Sequence, residues 1–151
     1  MDPYFRPILI SSLITVLLNT VLVLPFLGAP LLNYFIGGFL ASVFFKSGKE
    51  DKFYELSILD SSILGIGCGL ISGSLISLII SWKLQNADVK KILLDMINEQ
   101  LRMQSQAEMP LLTELEPGFY IVLAIVILFM ASLLCFFGST VAIAFVNKEK
   151  K

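Results

Sequence analysis

The 151 residues contain no histidine. A Ser-His-Asp or Cys-His relay within the chain is therefore excluded, as is any zinc site that needs imidazole. Cysteine is nearly absent too: Cys68 and Cys135 are the only two, both inside apolar sequence. That count and spacing exclude a disulfide framework or a Cys-rich metal centre, and the two thiols read as small apolar fillers. Charge is scarce, at 15% of residues with a net of −1, and no basic stripe interrupts it. Nucleic-acid binding is not expected on that basis. Phosphate-cradling loops are missing as well, since Gly65-Ile-Gly67-Cys-Gly69 stands in an apolar run where helix packing explains it. These absences leave no candidate catalytic residue, cofactor or metal, and the chain is expected not to be an enzyme.

What is present is apolar. Hydrophobic residues make up 56% of the chain and the mean hydropathy is +0.85, a composition from which a soluble surface is not built. Three stretches carry no charge: Pro7 to Phe45, Ser61 to Trp82 and Pro117 to Val146. Each reaches the roughly 20 residues that cross about 30 Å of hydrocarbon as helix. The first, with Pro25, Gly28 and Pro30 near its middle, reads as two helices joined by a turn. Four spans are predicted, over 7–27, 31–46, 61–82 and 118–146. The second is short enough to suggest a re-entrant hairpin instead, and the basic residues arbitrate. With four spans, Arg6, Lys46, Lys49, Lys52, Lys148, Lys150 and Lys151 share one side, against Lys83, Lys90, Lys91 and Arg102 on the other. That asymmetry puts both termini in the cytoplasm, with the chain multi-pass in the cell membrane. Cleavage of the first run as a signal peptide is not expected, because Leu27 interrupts the small-x-small pattern at Gly28 and Ala29.

The third span carries the clearest pattern. Ser61, Gly65, Gly69, Gly73, Ser77 and Ser81 recur every fourth residue. In lipid the hydrophobic effect does not drive helices together, so association depends on the close backbone approach that small residues allow. The second span offers a matching surface in Gly37 and Ala41 on one line and Gly38 and Ser42 on the next, so the second and third helices are expected to pack together. The seam serves packing inside the bundle, a homo-oligomer interface, or the lining of a conduit. Each use places small residues against something flat.

Polar residues within the spans are few. Asn19 and Asn33 are the only amides deep in apolar sequence, and Asp60 precedes Ser61, where a carboxylate caps a helix start. These three are the candidates for a polar path. With no ionisable residue at a predicted midplane, an ion-coupled carrier is disfavoured, while a passive pore stays open.

Between the third and fourth spans, Val89, Ile92, Leu93, Met96, Ile97 and Leu101 follow helical spacing among balanced charges. An amphipathic helix over about 86–103 is predicted on the extracytoplasmic face, with its apolar stripe on the bundle, on acyl chains or on a partner helix. Tyr4, Phe5, Trp82, Phe119 and Tyr120 stand at span ends, where amphipathic rings anchor.

The run from Pro25-Phe-Leu-Gly through Gly37-Gly38-Phe-Leu-Ala41, followed by the small-residue stretch from Ser61 to Gly73, resembles a family of small, mostly archaeal membrane proteins that form a domain of unknown function. The likeness covers roughly residues 10–80. It implies a multi-pass helical architecture and brings no catalytic residues.

The expectation is thus an all-α, four-helix transmembrane bundle with an added extracytoplasmic amphipathic helix, in a single domain over 1–151. Its expected role is that of a structural or accessory protein whose partners are the lipid bilayer and itself or another membrane protein. A small channel or solute carrier is the alternative.

Overall fold

In the computed structural model, residues 3–21, 29–49, 54–104 and 114–148 are described. Among them the chain is wholly helical, without a strand: α1 (Phe5–Val21), α2 (Ala29–Ser47), α3 (Ile58–Lys83), α4 (Ala87–Gln104) and α5 (Pro117–Val146). The expected turn at Pro25 and Gly28 lies outside the described residues, as do residues 50–53 and 105–113.

Local chemistry sets the helix starts. The hydroxyl of Ser57 accepts from the amide of Asp60 at 3.1 Å. The Asp60 carboxylate in turn accepts from the Ser57 amide at 3.1 Å. This reciprocal capping box opens α3 at Ile58. Asp60 therefore caps from inside the first turn, one turn from the expected position at the boundary itself, and α3 begins three residues before the predicted 61. Pro117 opens α5 at a position where its missing N–H costs nothing. Asn86 Oδ1 accepts from the Asp88 amide at 2.9 Å where α4 begins.

Helices α1, α2, α3 and α5 form a bundle in which α3 and α5 share the most extensive interface, followed by α2 and α5; α1 packs on α2 and α3. Two helices, α3 with 26 residues and α5 with 30, are long and apolar enough to cross a membrane. Their lengths are about 39 and 45 Å at 1.5 Å per residue. Over their described apolar stretches α1 and α2 are shorter.

The bundle interior holds many small and hydroxyl-bearing residues beside a few large ones such as Phe45 and Leu64, while its outside is large and apolar. Inside α5 are Ala131, Cys135, Gly138, Ser139 and Ala142. Its outer surface carries Ile121, Val122, Ile125, Phe129 and Phe145, all 59–65% exposed. Ser11, Ser12, Thr15, Ser42, Ser61, Ser72 and Ser139 are fully buried. In a water-soluble bundle these distributions run the other way.

The small residues account for the close approach. A Cβ on Gly65 would stand 2.6 Å from Phe136 Cα, and one on Gly69 would meet the backbone of Ser132. At Gly73 it would reach Ala131 Cβ at 3.1 Å. All three neighbours belong to α5. The expectation that the α3 seam faces α2 is thus corrected: α2 and α3 do touch, but the flat seam takes α5. On α2, Gly38 backs onto the Cys135 main chain of α5 and Gly37 onto Thr15 of α1, while Gly138 of α5 backs onto the Phe35 carbonyl. Ala41, Ser42 and Ser77 are buried, and Ser81 at the far end of the seam is half-buried.

Helix α4 packs extensively on no other helix. Lys90, Lys91, Leu94, Asp95 and Asn98 line an open cleft with Glu114; among the described α4 side chains only Leu94 is buried, and Lys91 and Asp95 are exposed. Val89, Ile92, Met96 and Met103 face outward. Leu93 and Ile97 of the same stripe are half-buried.

Candidate functional site

The buried polar side chains gather in three places. The first is a row along the inner face of α1, where Ser11, Thr15 and Asn19 follow four-residue spacing with Ser12 beside them. The Ser11 hydroxyl donates to Pro7 O at 2.8 Å, Ser12 to Ile8 O at 2.7 Å and Thr15 to Ser11 O at 2.8 Å. Asn19 donates to Thr15 O at 3.0 Å, and the Asn33 amide approaches Asn19 Oδ1 at 3.4 Å. The two candidate amides are therefore brought together where α1 ends and α2 begins. Each buried α1 hydroxyl donates to a carbonyl of its own helix, an inexpensive solution for a polar group without water, and Ser11 and Ser12 also reach Cys68 of α3, at 3.5 Å to Sγ and 3.3 Å to O.

The second cluster locks three helices. Ser139 of α5 donates to Ser61 O at 2.8 Å, and Ser61 donates back to Ser139 O at 3.1 Å. The Ser42 hydroxyl of α2 lies 2.5 Å from that of Ser139. Because the Ser139 proton goes to Ser61 O, Ser42 is the donor in that pair. Sequence reasoning singled out Ser42 and Ser61 but missed their α5 partner. Ala131, Cys135 and Ser139 recur every fourth residue, as do Gly138 and Ala142, so the scan that found the α3 seam would have found this one.

The third cluster surrounds Asp60 at the end of the bundle away from the amides. Its carboxylate accepts from Tyr4 Oη at 2.6 Å and Tyr54 Oη at 2.7 Å, from Ser57 Oγ at 2.7 Å and from the Ser57 amide. Donating to this carboxylate, with some burial and the Asp60 charge added, raises the Tyr54 phenol to about 12. Tyr4 stacks on Phe45 with ring centroids 4.8 Å apart, and Phe45 meets Tyr54 edge-on. Nearby, the Asn147 side chain donates to Leu56 O and accepts from Leu56 N, both at 3.1 Å. Lys46 Nζ donates to Val146 O at the C-terminal end of α5, where a cation suits the exposed carbonyls. One knot of side chains thus ties Tyr4, the end of α2, the start of α3 and the end of α5.

Asp60 and the Asn19–Asn33 pair stand at opposite ends of α1. The hydroxyls between them are committed to backbone carbonyls, and the Asp60 carboxylate is met by four donors. Cys68 and Cys135 are free, fully buried thiols. The Cys135 thiol donates to Tyr34 O at 3.0 Å. Among the described residues no group of three or more His, Cys, Asp or Glu could hold a metal ion.

Compared with protein-family models, with curated proteins and with solved structures, the chain matches none. Its function is therefore argued from its own residues.

Proposed function

We propose that this chain is a non-enzymatic integral membrane protein, with α1, α2, α3 and α5 all crossing the bilayer. In this reading both termini are cytoplasmic and α4 lies on the opposite surface. The protein acts as a structural or accessory subunit that self-associates or joins a larger membrane complex. The observation that carries the reading is the distribution of side chains: buried serines, small residues and amides are gathered inside with a few large apolar ones, and a belt of isoleucine, leucine, valine and phenylalanine faces outward. A surface of that size and character is disfavoured in water and suited to acyl chains.

The α3 seam is occupied by α5, so association would use other surfaces. An apolar cleft of about 490 Å³ on the outside of the α3–α5 pair, lined by Ile66, Leu70, Phe129 and Leu133, has the character of a helix-docking surface. The outward stripe of α4 supports a helix resting at the headgroup level with Val89, Ile92 and Met96 toward the acyl chains. The channel reading has less support, since the buried hydroxyls that would line a path are already bonded within the protein.

Alkaline extraction of membranes from expressing cells tests the first step: the protein should stay in the pellet, and release into the supernatant would overturn the bilayer reading. Native mass spectrometry of the detergent-solubilised particle tests the second. A defined homo- or hetero-complex is expected, and a lone monomer would overturn the subunit role.

A further inference from the structure

The knot around Asp60 borders a cleft of about 500 Å³ between the start of α1 and the end of α2, whose walls include Pro7, Ile10, Phe44 and Phe45 and whose rim carries Arg6 and Lys49. Both cations are placed for a ligand. Arg6 is solvent-exposed. Lys49 is held by aromatic faces, its Nζ 4.5 Å from the Phe45 ring centroid and 4.8 Å from that of Tyr54. Lys46 is engaged with Val146 and takes no part. Below the rim, Ile10, Leu13 and Leu17 continue the apolar wall along the outer face of α1, exposed by 39, 55 and 61% at helical spacing.

We infer that this cleft binds an anionic phospholipid, with its phosphate between Arg6 and Lys49 and an acyl chain along Ile10, Leu13 and Leu17. The inference rests on the bilayer reading, which sets the cationic rim at the cytoplasmic headgroup level and the row beneath it in hydrocarbon. Two cations above an apolar wall are complementary to an amphiphile with a negative head. A free phosphate would satisfy the rim and leave the wall bare, and a neutral lipid would leave the cations uncompensated. Basic residues at the cytoplasmic ends of membrane helices recognise acidic headgroups by this combination.

The test uses the full-length protein, first shown to resist alkaline extraction and then purified in mild detergent. It is presented with an equimolar mixture of phosphatidylglycerol and phosphatidylcholine of matched chains, and bound lipid is counted by native mass spectrometry. Phosphatidylglycerol should be preferred. Arg6→Gln with Lys49→Gln should reduce the preference roughly tenfold or more, each cation contributing on the order of a kilocalorie near an acidic surface. Lys90→Gln with Lys91→Gln, which removes the same charge from α4, should leave it unchanged. The single Arg6→Gln variant gives an intermediate loss and guards against misfolding of the double variant, checked by helical circular dichroism. Equal retention of the two lipids, or equal effects of the two double variants, would overturn the site while leaving the bilayer reading intact. Displacement of the lipid by millimolar inorganic phosphate would overturn the lipid assignment in favour of a phosphate site. Release on alkaline extraction would overturn the bilayer reading and the inference with it.

Discussion

A single methyl group separates two glycines of this chain by what it would meet. On Gly38 a Cβ would collide with the main chain of Cys135, which cannot swing aside as a side chain does, whereas on Gly118 it would have nothing within 4 Å. Gly38→Ala is therefore expected to destabilise the protein by about 1–3 kcal/mol, the usual cost of overpacking. Gly118→Ala, in the exposed first turn of α5, should be neutral or gain up to about 1 kcal/mol from helix propensity. Thermal unfolding in detergent followed by circular dichroism checks both, and equal melting temperatures for the two variants would refute the close-approach account. The small-residue lines of the second span mark Gly38 as a packing position but not its partner, and only the contact with Cys135 shows that the backbone it meets belongs to α5.

Helix α3 begins where Ser57 and Asp60 cap one another, and the same carboxylate collects the phenols of Tyr4 and Tyr54. The element start and the tertiary knot thus share one charge. The Tyr54 phenol is raised from the ordinary 10 to about 12, first because it donates to Asp60. A group whose folded value is raised contributes stability in full below its unfolded value near 10, and loses it as the pH climbs through 12. Phenolate absorbance of the native protein minus that of Tyr54→Phe should accordingly show one tyrosine titrating near pH 12. A difference curve centred at 10 would show that the hydrogen bond to Asp60 is not made in solution. The Ser-x-x-Asp spacing was visible in the sequence and was read only as a cap at Asp60, because the apolar run begins at Ser61 and draws the boundary with it. Pro117 at the start of α5 and Asn86 ahead of α4 each bear directly on a backbone group, and the predicted starts at 118 and 86 fall within one residue of those observed. The tyrosines could not be assigned from sequence: Tyr4 lies 56 residues from Asp60, a separation that no local pattern bridges.

For the whole molecule, the four-span reading fixes which side each end of the bundle faces. A cysteine placed at Asn98 should react with a membrane-impermeant maleimide in intact cells, and one at Lys49 should react only after lysis. The opposite pattern would overturn the orientation and move the proposed lipid site to the other leaflet. The helical class, the absence of imidazole chemistry, the apolar stretches and the bias in basic residues were all determined by the sequence, because composition and periodicity are local properties. Tertiary structure alone decided which surfaces meet: the α3 seam on α5, the Ser42–Ser139–Ser61 lock, the phenols of Tyr4 and Tyr54 on Asp60, and Arg6 and Lys49 on the walls of one cleft. Small residues state only that a helix can be approached closely. The partner that fills the approach is chosen by the fit of all the helices at once, and a single helix's sequence does not carry that information.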